Sequence, residues 1–179
     1  MPSVNLLLEQ ILAASGGGGG FAKVYHFYDN DTATATTPIS HGAASATTFL
    51  TNDAIGVGNR VYNPDSKAKL WNSTTQKFDF SSLKLGDVVS FRFDLTISHG
   101  GAQEVNLKMS LAEGATFPYE LNVSHDYYKT ASTGVTVTAE FKLPLTSQPT
   151  LDNPARIRFA SLTAATIQVN GFYYEVTEV

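Results

Sequence analysis

From Val88 to Ile97 the chain alternates without a break: Val89, Phe91, Phe93, Leu95 and Ile97 are apolar, while Ser90, Arg92, Asp94 and Thr96 between them are polar. Alternation of period two predicts a strand with one face in a core and the other in water. Two more stretches read the same way. Val105, Leu107, Met109 and Leu111 alternate with Asn106, Lys108 and Ser110, and Val135, Val137, Ala139, Phe141 and Leu143 alternate with Thr136, Thr138, Glu140 and Lys142. Shorter candidates at 23–28, 47–50, 60–62, 78–80, 119–123, 155–159, 166–169 and 172–179 bring the total to about eleven strands.

Turn residues punctuate these runs at Gly86-Asp87, Gly100-Gly101, Gly114, Asp152-Asn153-Pro154 and Asn170-Gly171. Asn170-Gly171, flanked by alternating segments, predicts a two-residue type I′ hairpin with the last two strands paired antiparallel. Residues 29–48 carry almost no large apolar side chain and read as a long surface loop. Residues 63–77 read similarly, with Trp71 packing under a loop or at an interface. Many short strands, and no helical pattern after residue 14, indicate an all-β fold, and an antiparallel jelly-roll sandwich suits the strand count best.

The N-terminus has a different period. Val4, Leu7, Leu8, Ile11 and Leu12 recur at three- and four-residue steps behind a capping Ser3, predicting a short helix over residues 1–14. No Lys or Arg precedes the apolar stretch and Glu9 interrupts it, which does not fit a secretory signal. It is also shorter than the ~20 apolar residues of a membrane span. A helix of this length is marginal alone in water and needs a partner surface. Val4, Leu7, Ile11 and Ala14 fit heptad positions for a short bundle of identical helices, docking into a groove on another protein fits equally well, and folding back onto the chain's own core is the third option. The glycines Gly16–Gly20 form a tether that argues against the last. The expected organisation is an anchoring helix over 1–15, a tether over 16–20 and a head domain over 21–179.

Composition narrows the chemistry. The chain has 179 residues, 12 Lys+Arg against 16 Asp+Glu for a net charge of −4, and no Cys. A nucleic-acid partner is not expected, because phosphate backbones call for clustered Lys and Arg. Disulfides and thiolate-bound zinc are excluded outright. Charged residues make up 16% of the chain, below the ~25% of an average domain, so the surface is largely neutral and polar.

Known catalytic and nucleotide motifs are missing: no GxSxG, HExxH, Walker or EF-hand pattern occurs, and Gly56-Val57-Gly58 lacks the third glycine and the following helix of a dinucleotide site. His26, His41, His99 and His125 show no paired spacing, so no metal is assigned, and His99 and His125, each next to a turn-like or polar segment, are expected to be surface or loop residues. Asp29, Asn30 and Asp31 offer too few oxygens for a calcium site and read as turn residues. The chain is therefore read as non-enzymatic, with no cofactor. Its aromatic clusters are more informative. Eight Tyr, eleven Phe and one Trp include Tyr127, Tyr128 and Tyr173, and Tyr173 must face away from Phe172 and Tyr174 if the segment is a strand. Such Tyr rings fit contact with a glycan or with a neighbouring subunit, and capping the edges of the domain's own core fits them equally well.

The run Leu70-Trp71-Asn72-Ser73, then Phe78-Asp79-Phe80-Ser81-Ser82-Leu83-Lys84-Leu85-Gly86-Asp87 and the strand 88–97, resembles a domain of tailed-phage fibre and appendage proteins. So does the close of the chain, from Leu151-Asp152-Asn153-Pro154-Ala155-Arg156-Ile157-Arg158-Phe159 to the final aromatic strand. The resemblance covers roughly residues 50–179 and is one of sequence style more than of a diagnostic motif. It implies a tumour-necrosis-factor-like jelly roll that trimerises on a virion surface and carries no catalytic residues. The chain departs from a typical tail fibre in having no shaft and no long repeats, which suits a small decoration, head-fibre or knob protein. On this reading the protein is made in the host cytoplasm, docks on another virion protein through Val4, Leu7, Leu8, Ile11 and Leu12, and presents a homotrimeric head that touches host glycans through Tyr127, Tyr128 or Tyr173. The alternative is a carbohydrate-binding module, and the third reading, a cupin-like enzyme, calls for a metal near His99 or His125.

Overall fold

A computed structural model describes residues 23–42, 47–56, 60–63 and 67–179. The expected helix with Val4, Leu7, Leu8, Ile11 and Leu12, and the glycine tether after it, lie outside the described residues. Among the described residues, twelve strands and two short helices follow in the order β1 (Lys23–Asn30), α1 (Ala33–Thr36), β2 (Ile39–His41), β3 (Thr48–Phe49), β4 (Arg60–Tyr62), β5 (Trp71–Asn72) and β6 (Lys77–Phe78). They continue with β7 (Val88–His99), β8 (Gln103–Leu111), β9 (Tyr119–Tyr128), β10 (Ser132–Pro144), α2 (Gln148–Asp152), β11 (Arg156–Ser161) and β12 (Ala165–Glu178). Among the described residues no helix is long and apolar enough to cross a membrane.

Ten of these strands form two antiparallel sheets packed as a jelly-roll-like sandwich, and β5 and β6 pair as a separate ribbon. One has six strands in the order β10-β7-β12-β1-β4, with β2 also pairing the first residues of β12, and the other has four in the order β3-β11-β8-β9. The three long alternating runs of the sequence become β7, β8 and β10. Their apolar positions fill the space between the sheets, where Val89, Phe93, Leu107, Met109, Ile157, Phe159 and Ile167 are buried. Each such side chain stabilises the fold by roughly 1.5–3 kcal/mol relative to exposure.

The β5–β6 ribbon closes one end of this core. Phe78 is fully buried, with its ring 5.1 Å from Phe91, 5.8 Å from Tyr174 and 4.8 Å from Trp71. Trp71 also meets Phe172 edge-on at 4.9 Å, and its Nε1 donates to the Asn52 carbonyl at 3.0 Å, so the indole packs beneath the loop after β3. The buried N–H is thereby satisfied, as an indole in a core requires.

Two expectations are corrected. Asn170-Gly171 is not a hairpin turn: β12 runs through it as one strand, and Asn170 is the extra residue of a bulge between the pairs Val169/Leu95 and Gly171/Asp94. Twelve residues of β12 have partners on β7, and a turn at that dipeptide would break that ladder. Gly171 adopts no positive φ. Its lack of a side chain serves a close approach instead, because a Cβ there would lie 3.0 Å from the Tyr28 hydroxyl.

Residues 29–48 are likewise not a continuous surface loop. Asp29 and Asn30 end β1, Asp29 is fully buried, and α1 and β2 follow. Thr34 accounts for the compact path: it donates to Asp31 Oδ2 through both its N–H (2.7 Å) and its hydroxyl (2.5 Å), and it accepts the Val169 N–H at 2.7 Å. Buried polar side chains linked this way read as hydrophilic in sequence, although they sit inside the fold.

Candidate functional site

The outward face of the six-stranded sheet gathers its side chains in two cross-strand rows. Tyr28 on β1 lies opposite Tyr173 on β12, Tyr173 opposite Arg92 on β7, and Arg92 opposite Glu140 on β10. One step along, Tyr62 on β4 lies opposite His26, His26 opposite Glu175, Glu175 opposite Ser90, and Ser90 opposite Lys142. Each row follows from the two-residue period, which sends alternate side chains to the outer face of every strand.

Rings dominate one end of the rows and charges the other. His26 stacks on Tyr62 with ring centroids 5.1 Å apart, and it lies 6.3 Å from Tyr173, whose ring is 6.5 Å from that of Tyr28. Tyr62 is 53% exposed, whereas His26, Tyr28 and Tyr173 are half-buried by one another. Arg92 Nε reaches both Asp94 carboxylate oxygens, at 3.0 and 3.1 Å, and the Thr138 hydroxyl donates to the same carboxylate at 2.9 Å. This pairing holds the Arg92 guanidinium further above its ordinary value. Burial, reinforced by the Glu175 carboxylate that accepts its hydroxyl at 3.3 Å, pushes the Tyr173 phenol up, so it remains a neutral donor. A cleft of about 920 Å³ runs between rings and charges, lined by His26, Tyr28, Arg92, Glu140, Lys142 and Tyr173 among others.

The tyrosines named from sequence divide between the two sheets. Tyr173 belongs to the ring cluster just described and faces away from the buried Phe172 and Tyr174, as alternation requires. Tyr127 and Tyr128 end β9 in the other sheet: Tyr127 is 63% exposed opposite Glu104, and the Tyr128 ring lies 4.8 Å from His99. Burial pushes the Tyr128 phenol up, and Asp126 adds to it. Nothing in the linear sequence joins Tyr28, Tyr62, His26 and Arg92 to Tyr173. Their signal was parity: in β1, His26 and Tyr28 alternate with the buried Tyr25 and Phe27.

The histidines take three kinds of place. His41 and His99 are both buried and flank Ala165 from its two neighbouring strands. His41 is fully engaged, with Nδ1 2.8 Å from the Thr48 hydroxyl and Nε2 accepting the Ser161 N–H at 3.3 Å. His99 Nδ1 donates to the Gly101 carbonyl at 2.9 Å, which leaves Nε2 a buried lone pair without a partner among the described residues. His99 is therefore a core residue, not the surface or loop residue expected, and His41 is a core residue as well. His125 is exposed, 3.6 Å from Glu104. Among the described residues no three His, Asp or Glu side chains are placed to hold a metal ion. Asp31 is spent on backbone and hydroxyl donors, and Asp29 on the Lys69 ammonium at 2.5 Å.

No protein-family model matches the chain, and no curated protein matches it in sequence.

Proposed function

We propose that the protein is a non-enzymatic structural module whose heads associate as a homotrimer through the outward face of the six-stranded sheet. The observation that carries this is the ring cluster of Tyr62, His26, Tyr173 and Tyr28 on an outward face, bordered by charges of both signs. Tyr and His rings are amphipathic anchors of the kind enriched at interfaces. Arg92 and Lys142 share this face with Glu140 and Glu175, so it offers charges of both signs to a neighbouring copy. The strand order of the two sheets supports the jelly roll expected of such heads.

The setting we infer is the surface of a phage virion, as a decoration, head-fibre or appendage knob. The segments around Leu70–Asp87 and Leu151–Phe159 support it through their resemblance to tailed-phage appendages, and residues 1–15 are the proposed attachment to another virion protein. Tyr173→Glu in the full-length chain tests the proposed face. It sets a third carboxylate beside Glu175 and Glu140, and sedimentation velocity is expected to read single chains where the unaltered protein sediments as trimers. A Tyr173→Glu protein that sediments like the unaltered one rejects this face.

A second reading is favoured by the cleft itself. A groove of about 920 Å³ with stacked rings on one side and paired charges on the other has the form of a saccharide platform. A monomeric protein whose glycan binding disappears with Tyr173→Ala would establish that carbohydrate-binding module instead.

A further inference from the structure

The opposite side of the sandwich holds a second cleft, at the end of the four-stranded sheet where β8 turns into β9. On its outward face Phe49 lies opposite Arg158, Arg156 opposite Ser110, and Ser110 opposite Glu120. The side chains are held in place before any ligand arrives. Glu120 pairs with Arg158 and with Lys108 at 3.4 Å. Glu113 sits between Lys77 and Arg156, 3.4 Å from each. The Phe49 ring lies under the Arg156 guanidinium at 4.7 Å, and the Tyr119 hydroxyl is fixed on Thr150 at 2.7 Å.

The connecting loop is as well defined as the sheet. Ala112 is fully buried at φ 54°, Gly114 follows at φ 95°, and the Glu113 N–H donates to the Pro154 carbonyl at 2.9 Å. Pro118 and Tyr119 line the cleft, and their chain neighbour Phe117 is 84% exposed, the most exposed large apolar side chain among the described residues. Holding an alanine in the left-handed region costs free energy that this loop retains while presenting a phenyl ring to water.

We propose that this cleft, walled by Phe49, Tyr119, Glu113, Glu120 and Arg158, binds a neutral saccharide. The lining carries two carboxylates and one guanidinium, which disfavours an anion. A cation would have to displace Arg156, Arg158, Lys77 and Lys108 from those carboxylates. What remains is a ligand rich in hydroxyl groups, able to donate to Glu113 and Glu120, to accept from Arg158, and to lay its apolar C–H face on an aromatic ring. A volume of about 310 Å³ suits a small ligand of a few sugar units or less, and is too confined for a helix or a strand of another protein. The inference rests on the reading above, because a trimer joined through the six-stranded sheet leaves the four-stranded sheet outermost. Three such clefts on one particle would raise weak single-site affinity by avidity.

The test is a printed array of neutral mammalian-type and bacterial-type glycans probed with the full-length protein, followed by NMR titration of the same protein with the methyl pyranosides of the sugars the array selects. Binding is expected to fall at least tenfold in Tyr119→Ala, at a side chain that lines the cleft and is 40% exposed, and in Glu120→Gln. No binding to any glycan overturns the site. So does binding that survives Tyr119→Ala and Glu120→Gln, or that is lost only with Tyr173→Ala. Light scattering on the same samples keeps the two questions apart: a trimer that binds nothing rejects this cleft alone, and a monomer that binds through Tyr119 rejects the proposed assembly alone.

Discussion

The Tyr28 hydroxyl stands 3.0 Å from the point where a side-chain carbon on Gly171 would be, and the Asn30 Oδ1 stands 3.1 Å from it. Tyr28 therefore rests directly on the backbone of β12 at its bulge, and the ring cluster around Tyr173 inherits its position from that contact.

Gly171→Ala is expected to push Tyr28 off the strand and to cost about 1–3 kcal/mol, the usual range for overpacking. Urea denaturation measures it. Because the cost comes largely through Tyr28, Gly171→Ala made in a Tyr28→Ala background is expected to cost less than half as much. Equal costs in both backgrounds would show that the Asn30 side chain, not the tyrosine, resists the methyl group.

Asp53 organises the start of α1. Its carboxylate accepts the Thr32 hydroxyl at 2.5 Å, the N–H groups of Thr32 and Ile55 at 3.1 Å, and that of Ala33 at 2.9 Å. Burial raises its carboxyl, but the hydrogen bonds from the Thr32 side chain and from Ile55, Thr32 and Ala33 outweigh that and leave it below the ordinary aspartate value. A carboxyl lowered in the folded state adds stability above its unfolded pKa of ~3.9, and loses it as pH falls through the folded value. Asp53→Ala is expected to cost about 1 kcal/mol at pH 7, as loss of a helix cap does. The gap between the two proteins should close as pH drops below about 4. A gap that widens in acid would contradict the assignment.

Lys69 is the only cation within a short ion-pair distance of the fully buried Asp29 among the described residues, and the other Asp29 oxygen has no hydrogen-bond partner among them. Burial, with Asp29 as a neighbour, pushes the Tyr174 phenol up, so it stays protonated beside that carboxylate. Lys69→Met strands a buried charge and is expected to cost about 2–3 kcal/mol, below the full cost of breaking a buried pair because Lys69 is partly solvated. Adding Asp29→Asn to that variant is expected to restore part of the loss. A Lys69→Met protein as stable as the unaltered one in thermal denaturation would show that the pair contributes nothing.

The sandwich was legible because β7, β8 and β10 are long, half-buried strands, and a single burial pattern repeated over nine or more residues admits one period. Asn170-Gly171 misled because a dipeptide reports its local preference, whereas the backbone there is set by pairing with β7 and β1 on both sides. Asp29, Asp31 and Thr34 read as loop residues because polarity stands for exposure until partners are known. The functional face was half legible. Alternation placed Tyr173 outward, but only the strand order brings it beside Tyr28 and Arg92, and that same order puts Tyr127 and Tyr128 in the other sheet. His41 and His99 illustrate the same limit, since β12 alone links them, through Ala165.

The central claim is association of three heads through the sheet face that carries Tyr173. Multi-angle light scattering on the full-length protein at micromolar concentration tests it most directly. The account predicts a mass three times that of the chain, and a single-chain mass for Tyr173→Glu at the same concentration; a single-chain mass for the unaltered protein would contradict it.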